Sequence, residues 1–147
     1  KLQSNKIRKA VNLFDVIQTI ENTKQITKTE REAKKQNKVQ KIYIQINISK
    51  DPDKGGLLIK DIKRICDEIK QKKHIQLNGV MTILKRGLEK EKILFFYKKL
   101  KEIQEKIKEK TPTCQQASMG MSSDYKEAIK AGATEVRLGT ALFGKRE

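Results

Sequence analysis

The 147 residues suit a single domain with a sizeable core, since a chain near this length buries roughly 68–70% of its unfolded surface. The net charge of +16 invites a nucleic-acid partner, yet only six of the 34 basic residues are arginine, the residue that supplies bidentate and stacked base contacts, and the lysines alternate with glutamates along the chain as solvated faces do. Two cysteines, Cys66 and Cys114, form neither a disulfide framework nor a metal-ligand spacing, and no apolar run approaches the ~20 residues a membrane span requires, so a reducing, cytoplasmic setting with no membrane partner is expected.

Strand-like and helix-like segments alternate, which predicts parallel β/α architecture. Residues 15–20 read as a strand and 22–37 as a very polar helix, with a stretch near 30–38 polar enough to be a linker. Residues 41–48 have strict period two: Ile42, Ile44, Ile46 and Ile48 share one face, and Tyr43, Gln45 and Asn47 the other. Leu58, Ile62, Ile65 and Ile69 recur at helical spacing, with Cys66 beside that stripe as a small core residue. Residues 77–83 read as a short strand. Ile93, Phe96, Leu100, Ile103 and Ile107 predict a long helix over 88–110, with Glu102 and Lys106 as an i,i+4 pair and Pro112 just past the end.

A weak strand over 114–118 then leads to a loop at Gly120. Ser122, Ser123 and Asp124 offer N-caps, with Glu127 in capping-box register, and the short helix that follows ends at Gly132. The last strand covers 134–138. This makes about five β/α units. They are either an open doubly wound sheet or a (β/α)8 TIM barrel lacking roughly its first three units, residues 1–147 being the C-terminal part of one barrel domain.

The closing thirty residues carry the chemistry. Gly120 allows close backbone approach, and Ser122 places a hydroxyl and N–H groups at a helix start, where an anion is favoured; plain helix capping is the alternative. Arg137 lies in strand phase opposite Val136 and Leu138, alongside Glu135, so it points into the interior. It makes either an ion pair with Glu135 or another acid, or a contact to a ligand at the strand ends. Gly139 and Thr140 follow directly, and the last two loops of a barrel often bind phosphate. Asp51, Asp53, Gly55 and Gly56 mimic the start of a calcium loop, but Ile62 stands where an acid is required. His74 is the only histidine, so no triad or metal set can be assembled.

These stretches resemble the pyridoxal 5′-phosphate homeostasis protein family, of the alanine-racemase-like barrel class. Leu2-Gln3-Ser4-Asn5-Lys6 is similar to its L-Q-x-N-K segment, Gln45–Ser49 with Lys54-Gly55-Gly56 to its fifth-strand motif and K-x-G loop, and Asn78-Gly79-Val80-Met81 to its G-L/V-M strand. Ser118–Asp124 and Val136–Gly144 are similar to its two signature stretches. The resemblance implies an alanine racemase N-terminal-type α/β barrel with pyridoxal phosphate (PLP) at its C-terminal mouth. It implies that Ser122, Gly139 and Thr140 hold the phosphate, and that Arg137 faces the pyridine nitrogen with Asn47, Met81 and Ser118 nearby. It further implies a non-enzymatic vitamin B6 carrier, monomeric when full-length, with PLP-dependent apoenzymes as partners and no specific nucleic acid. The alternatives are an amino-acid racemase and a basic RNA-associated protein. Two departures stand out. Thr82-Ile83-Leu84 replaces a run toward proline, so the loop after that strand is expected to differ, and Gly55 replaces a common serine. The family's cofactor-anchoring lysine lies on an earlier strand, and no position here corresponds to it.

Overall fold

The computed structural model describes residues 2–144. The elements run α1 (Ile7–Leu13), β1 (Val16–Ile20), α2 (Thr23–Lys35), β2 (Gln40–Gln45), α3 (Ile62–Lys70), β3 (Ile75–Met81), α4 (Lys90–Lys110), β4 (Gln116–Met121), α5 (Tyr125–Lys130), β5 (Glu135–Arg137) and α6 (Thr140–Phe143). The five strands pair in parallel in the order β1-β2-β3-β4-β5. A doubly wound sheet reverses its strand order at a switch point. This sheet never does, which removes the open-sheet alternative.

The sheet is also strongly curled. With neighbouring strands ~4.8 Å apart, the edges of a flat five-stranded sheet would stand roughly 19 Å apart. Yet Gln18 Nε2 on β1 donates to Glu135 Oε2 on β5 at 2.6 Å. The strands form a half-barrel, with helices on the convex face.

The period-two isoleucines of β2 build the convex core. Ile42 and Ile44, with Ile46 just past the strand's end, are fully buried in one core with Ile65 of α3, and Ile69 is nearly so. The register aligns Tyr43 with Gly79, and Gln45 with Met81, which pairs in turn with Ser118. These residues face the concave side. Gly79 is small because a Cβ there would lie 2.6 Å from the Gln116 carbonyl oxygen of the adjacent strand.

Several local expectations change. Residues 4–13, outside every element expected from the sequence, form a 3-10 turn and α1, with Ile7, Ala10 and Val11 buried at i, i+3, i+4. The stretch 30–38 is no linker. Asn22 caps α2 by accepting from the Gln25 N–H at 2.9 Å, the helix continues through Lys35, and Lys38 Nζ donates to the Val11 carbonyl at 2.7 Å. In α4 the i,i+4 pair formed is Lys101–Glu105 at 2.8 Å in place of Glu102–Lys106. The helix is pinned to the β4 entry by buried Gln104, whose Nε2 donates to the Cys114 carbonyl at 2.6 Å. Both cysteines are buried free thiols; desolvation pushes Cys66 up to about 11 and Cys114 up to about 12. No helix among the described residues is long and apolar enough to cross a membrane.

His74 joins α2 to β3. Its ring Nδ1 lies 2.9 Å from Glu30 Oε1, and its backbone N–H donates to Glu30 Oε2 at 2.9 Å. Burial works against the charged Glu30 carboxylate, but these bonds and one from the Lys73 N–H outweigh it and hold the carboxyl below its ordinary 4.5. A carboxyl lowered in the folded state stabilises above its unfolded pKa and loses that contribution as pH falls through the folded value. Glu30→Gln is therefore expected to lower the urea midpoint at neutral pH, and the two proteins should converge once the pH has fallen below the folded-state value of Glu30. Parallel curves across that range would show that the clamp contributes nothing.

Candidate functional site

The second signature stretch places its charge by strand phase. Glu135 and Arg137 are two residues apart on β5 and share the concave face, but they do not bond each other. Arg137 Nη1 donates to Ser118 Oγ at 2.8 Å and Nη2 to the Thr82 carbonyl at 2.7 Å. Glu135 instead accepts from Gln18 and from the Tyr43 hydroxyl. The Arg137–Glu135 ion pair, one of the two sequence alternatives, is thus absent. Burial lowers the guanidinium's pKa, against the fields of Tyr97, Asp124 and Glu135, which pull it back up. Both hydrogen-bond partners of the half-buried cation are neutral oxygens.

The two small-residue loops meet beside it. Ser122 Oγ accepts from the Gly139 N–H at 3.2 Å and the Ala141 N–H at 3.1 Å, bridging the turn after β4 to the start of α6. The Thr140 N–H, in the first turn of α6, has no intrahelical carbonyl within reach. Ser122, Arg137, Gly139 and Thr140 line one open cleft of about 470 Å³ at the C-terminal strand ends. Arg86 lines it too. No sequence motif marks Arg86, which follows the Thr82-Ile83-Leu84 stretch and reaches the cleft from the turn at Arg86–Gly87 as a second cation.

Gly120 plays a different part from the one expected. It lies within β4, at φ +91°, and the backbone that approaches it is α5's: a Cβ would meet Ala128 Cβ at 2.5 Å and Tyr125 Cα at 3.0 Å. The capping box also fails to form. Asp124 sits at the N-cap of α5 without capping it. Its Oδ1 accepts from the Met121 N–H at 2.6 Å and its Oδ2 from the Tyr97 hydroxyl at 2.8 Å, so it braces the β4–α5 turn from α4. Desolvation and Asp124 both push the Tyr97 phenol's pKa up. At the other end of α5, the Gly132 N–H reaches the Ile129 carbonyl and the Ala133 N–H the Ala128 carbonyl, a Schellman ending at the expected glycine.

The remaining expected residues sit below or beside the cleft. Ser118 is fully buried beneath Arg137, and Met81 pairs with it in register. Asn47 is not brought to the cleft. Its Nδ2 donates to the Asp51 and Lys54 carbonyls at 2.7 and 3.1 Å, and its Oδ1 accepts from the Asp51 N–H at 3.0 Å, so it braces the loop after β2.

Fold and site together define a barrel-type parallel β/α protein with a cationic, amide-lined cleft at the C-terminal ends of its last strands. A family signature described as alanine racemase, N-terminal domain, matches residues 2–147. The chain belongs to this family. It is 37% identical over 147 residues to the pyridoxal phosphate homeostasis protein of Synechocystis, covering 99% of this chain and 67% of that protein. It is 32% identical to the protein of the same name from Vibrio alginolyticus, covering 99% and 63%. The chain thus spans about two thirds of the length of these relatives. Among solved structures, PipY of Synechococcus elongatus with PLP bound superposes at a TM-score of 0.90 with 32% identity, over 98% of this chain and 68% of that one. Alanine racemase of Clostridium difficile shares the fold at a TM-score of 0.80 and 15% identity.

Proposed function

We propose that this chain binds pyridoxal 5′-phosphate at the cleft between the β4–α5 and β5–α6 loops, as a vitamin B6 carrier and not as an enzyme with robust turnover. The observation that carries the proposal is the Ser122 bridge to the Gly139 and Ala141 amides, which gathers both small-residue loops into one cradle beside Arg137. The Thr140 N–H that this bridge presents without a carbonyl partner, with the Ser122 and Thr140 hydroxyls beside it, suits a phosphate dianion, and Arg86 adds a cation at its rim. Relatives named pyridoxal phosphate homeostasis proteins and the PLP-bound PipY support the choice of ligand.

Bound PLP supplies an electron sink when its ring nitrogen is protonated, which an acidic partner normally ensures. Arg137 is donor-only and does not give up its proton. Facing the ring nitrogen, it donates to an unprotonated ring and weakens the sink. The racemase alternative needs a phenol or amine free to exchange protons at the cleft. Of the three tyrosines, Tyr43 and Tyr97 are buried and each already donates to a carboxylate, Glu135 and Asp124 respectively, and Tyr125 at the start of α5 does not line the cleft.

Titrating the chain with PLP, pyridoxal and inorganic phosphate, followed by ligand fluorescence, tests this reading. PLP is expected to bind at least tenfold more tightly than pyridoxal, with phosphate competing and no racemisation of free amino acids. Equal binding of PLP and pyridoxal would overturn the cradle, and rapid racemisation would overturn the carrier assignment. Salt-sensitive RNA binding that PLP does not displace, with no PLP uptake, would favour the basic-protein alternative.

A further inference from the structure

Arg137 is the head of a hydrogen-bond chain that crosses the concave face. Its Nη1 donates to Ser118 Oγ at 2.8 Å, Ser118 Oγ donates to Gln18 Oε1 at 2.7 Å, and Gln18 Nε2 donates to Glu135 Oε2 at 2.6 Å. The Tyr43 hydroxyl donates to the other oxygen of Glu135. Every proton in the chain points away from the guanidinium and toward the carboxylate. Gln18 stands on β1, 100 residues from Ser118 and 117 from Glu135, so only the curl of the sheet brings the three together.

The direction is set by the donor inventory. A guanidinium has donors and no acceptor, and a serine hydroxyl can turn its single proton either way. Gln18 removes that freedom. Its amide cannot be reversed without placing its carbonyl oxygen against the Glu135 carboxylate, so Oε1 must face Ser118 and take the hydroxyl proton. The Ser118 lone pairs are then left for Arg137. Together with the Thr82 carbonyl at 2.7 Å, Ser118 holds two separate nitrogens of the guanidinium and fixes its plane.

We propose that Gln18 is a positioning residue for the cofactor site. By committing the Ser118 proton, it holds Arg137 in the pose that donates to an acceptor nitrogen of a heteroaromatic ring in the cleft. This rests on the PLP reading above. Gln18 itself does not touch the ligand; it acts through Ser118.

The test uses the whole chain, with PLP as probe, and reads the pH dependence of the bound ligand's absorbance alongside its affinity. In the wild type, bound PLP should hold a constant spectrum across the range in which the ring nitrogen of free PLP titrates, because Arg137 keeps that nitrogen unprotonated. Gln18→Met is expected to restore the pH dependence and weaken PLP about tenfold, the worth of one oriented hydrogen bond, while the inhibition constant of inorganic phosphate stays unchanged. Gln18→His, whose neutral ring offers one acceptor and one donor, should recover the wild-type spectrum. Ser118→Ala breaks the same link while leaving the Gln18–Glu135 bond in place and should match Gln18→Met, which keeps the proposal falsifiable if Gln18→Met fails to fold. A flat pH profile and wild-type affinity in either Gln18→Met or Ser118→Ala would overturn the positioning role and leave the PLP reading intact. A wild-type chain that takes up no PLP at all would overturn both.

Discussion

Gly120→Ala is expected to destabilise the protein by about 2–5 kcal/mol and to abolish ligand binding at the cleft. Two effects add. The residue sits at φ +91°, where an L side chain costs of order 1–3 kcal/mol. The new methyl would also fall 2.5 Å from Ala128 Cβ and 3.0 Å from Tyr125 Cα, so α5 must back away from β4. α5 follows the turn that carries Ser122, so the displacement passes directly to the hydroxyl that joins the two loops. Urea unfolding and PLP titration of the variant measure the two consequences. Gly139→Ala supplies the contrast. Nothing lies within 4 Å of a Cβ there, so its unfolding free energy should stay within about 0.5 kcal/mol of wild type. Equal stabilities for Gly120→Ala and Gly139→Ala would show that α5 packs on β4 more loosely than these distances say.

The contrast between the two glycines marks how far the sequence is legible. Periodicity identifies β2 and the inner faces of α3 and α4, because burial on one side leaves a repeat that no distant partner can disguise. It is weak for β4, where Ser118, Met119, Gly120 and Met121 carry little strand preference and the strand runs three residues beyond the expected end. It is silent on what Gly120 is for. A ligand-binding loop and a tight strand–helix contact both call for glycine, and only the position of Ala128 distinguishes them.

The choice of partners is the least legible feature. Strand phase puts Arg137 and Glu135 on one face, and the pair looks self-sufficient. The structure separates them because Gln18 and Tyr43, 117 and 92 residues from Glu135, supply its carboxylate with donors, and Ser118 and Thr82 supply acceptors to Arg137. Contacts of that range depend on the curl of the sheet and leave no local pattern. Asn47 shows the converse. The period-two pattern carries the strand through residue 48, but β2 ends at Gln45, and the loop after it turns back and occupies the Asn47 side chain.

Arg137→Met is expected to weaken PLP binding about tenfold to a hundredfold, the worth of hydrogen bonds from a charged donor. The stability cost has two opposing parts. The variant leaves the Thr82 carbonyl and the Ser118 hydroxyl without their donor, each costing about 1–3 kcal/mol if it stays dry. It also relieves the burial of a cation that depresses the guanidinium's own pKa. The net loss of stability should therefore be smaller than the two unpaired oxygens suggest, while the loss of affinity is undiminished, because Arg86, the other guanidinium lining the cleft, does not share the Ser118 and Thr82 bonds that fix Arg137. Arg137→Lys separates charge from shape. A lysine keeps the positive charge but presents one nitrogen where the guanidinium presents three, so it cannot serve Ser118, Thr82 and a ring nitrogen together. Arg137→Lys should retain most of the stability and recover only part of the affinity, with the bound ligand's spectrum regaining its pH dependence. Unfolding in urea and fluorescence titration with PLP on the same three proteins measure both quantities. If Arg137→Met binds PLP as tightly as the wild type, the guanidinium serves only the concave core and the ring must be held elsewhere.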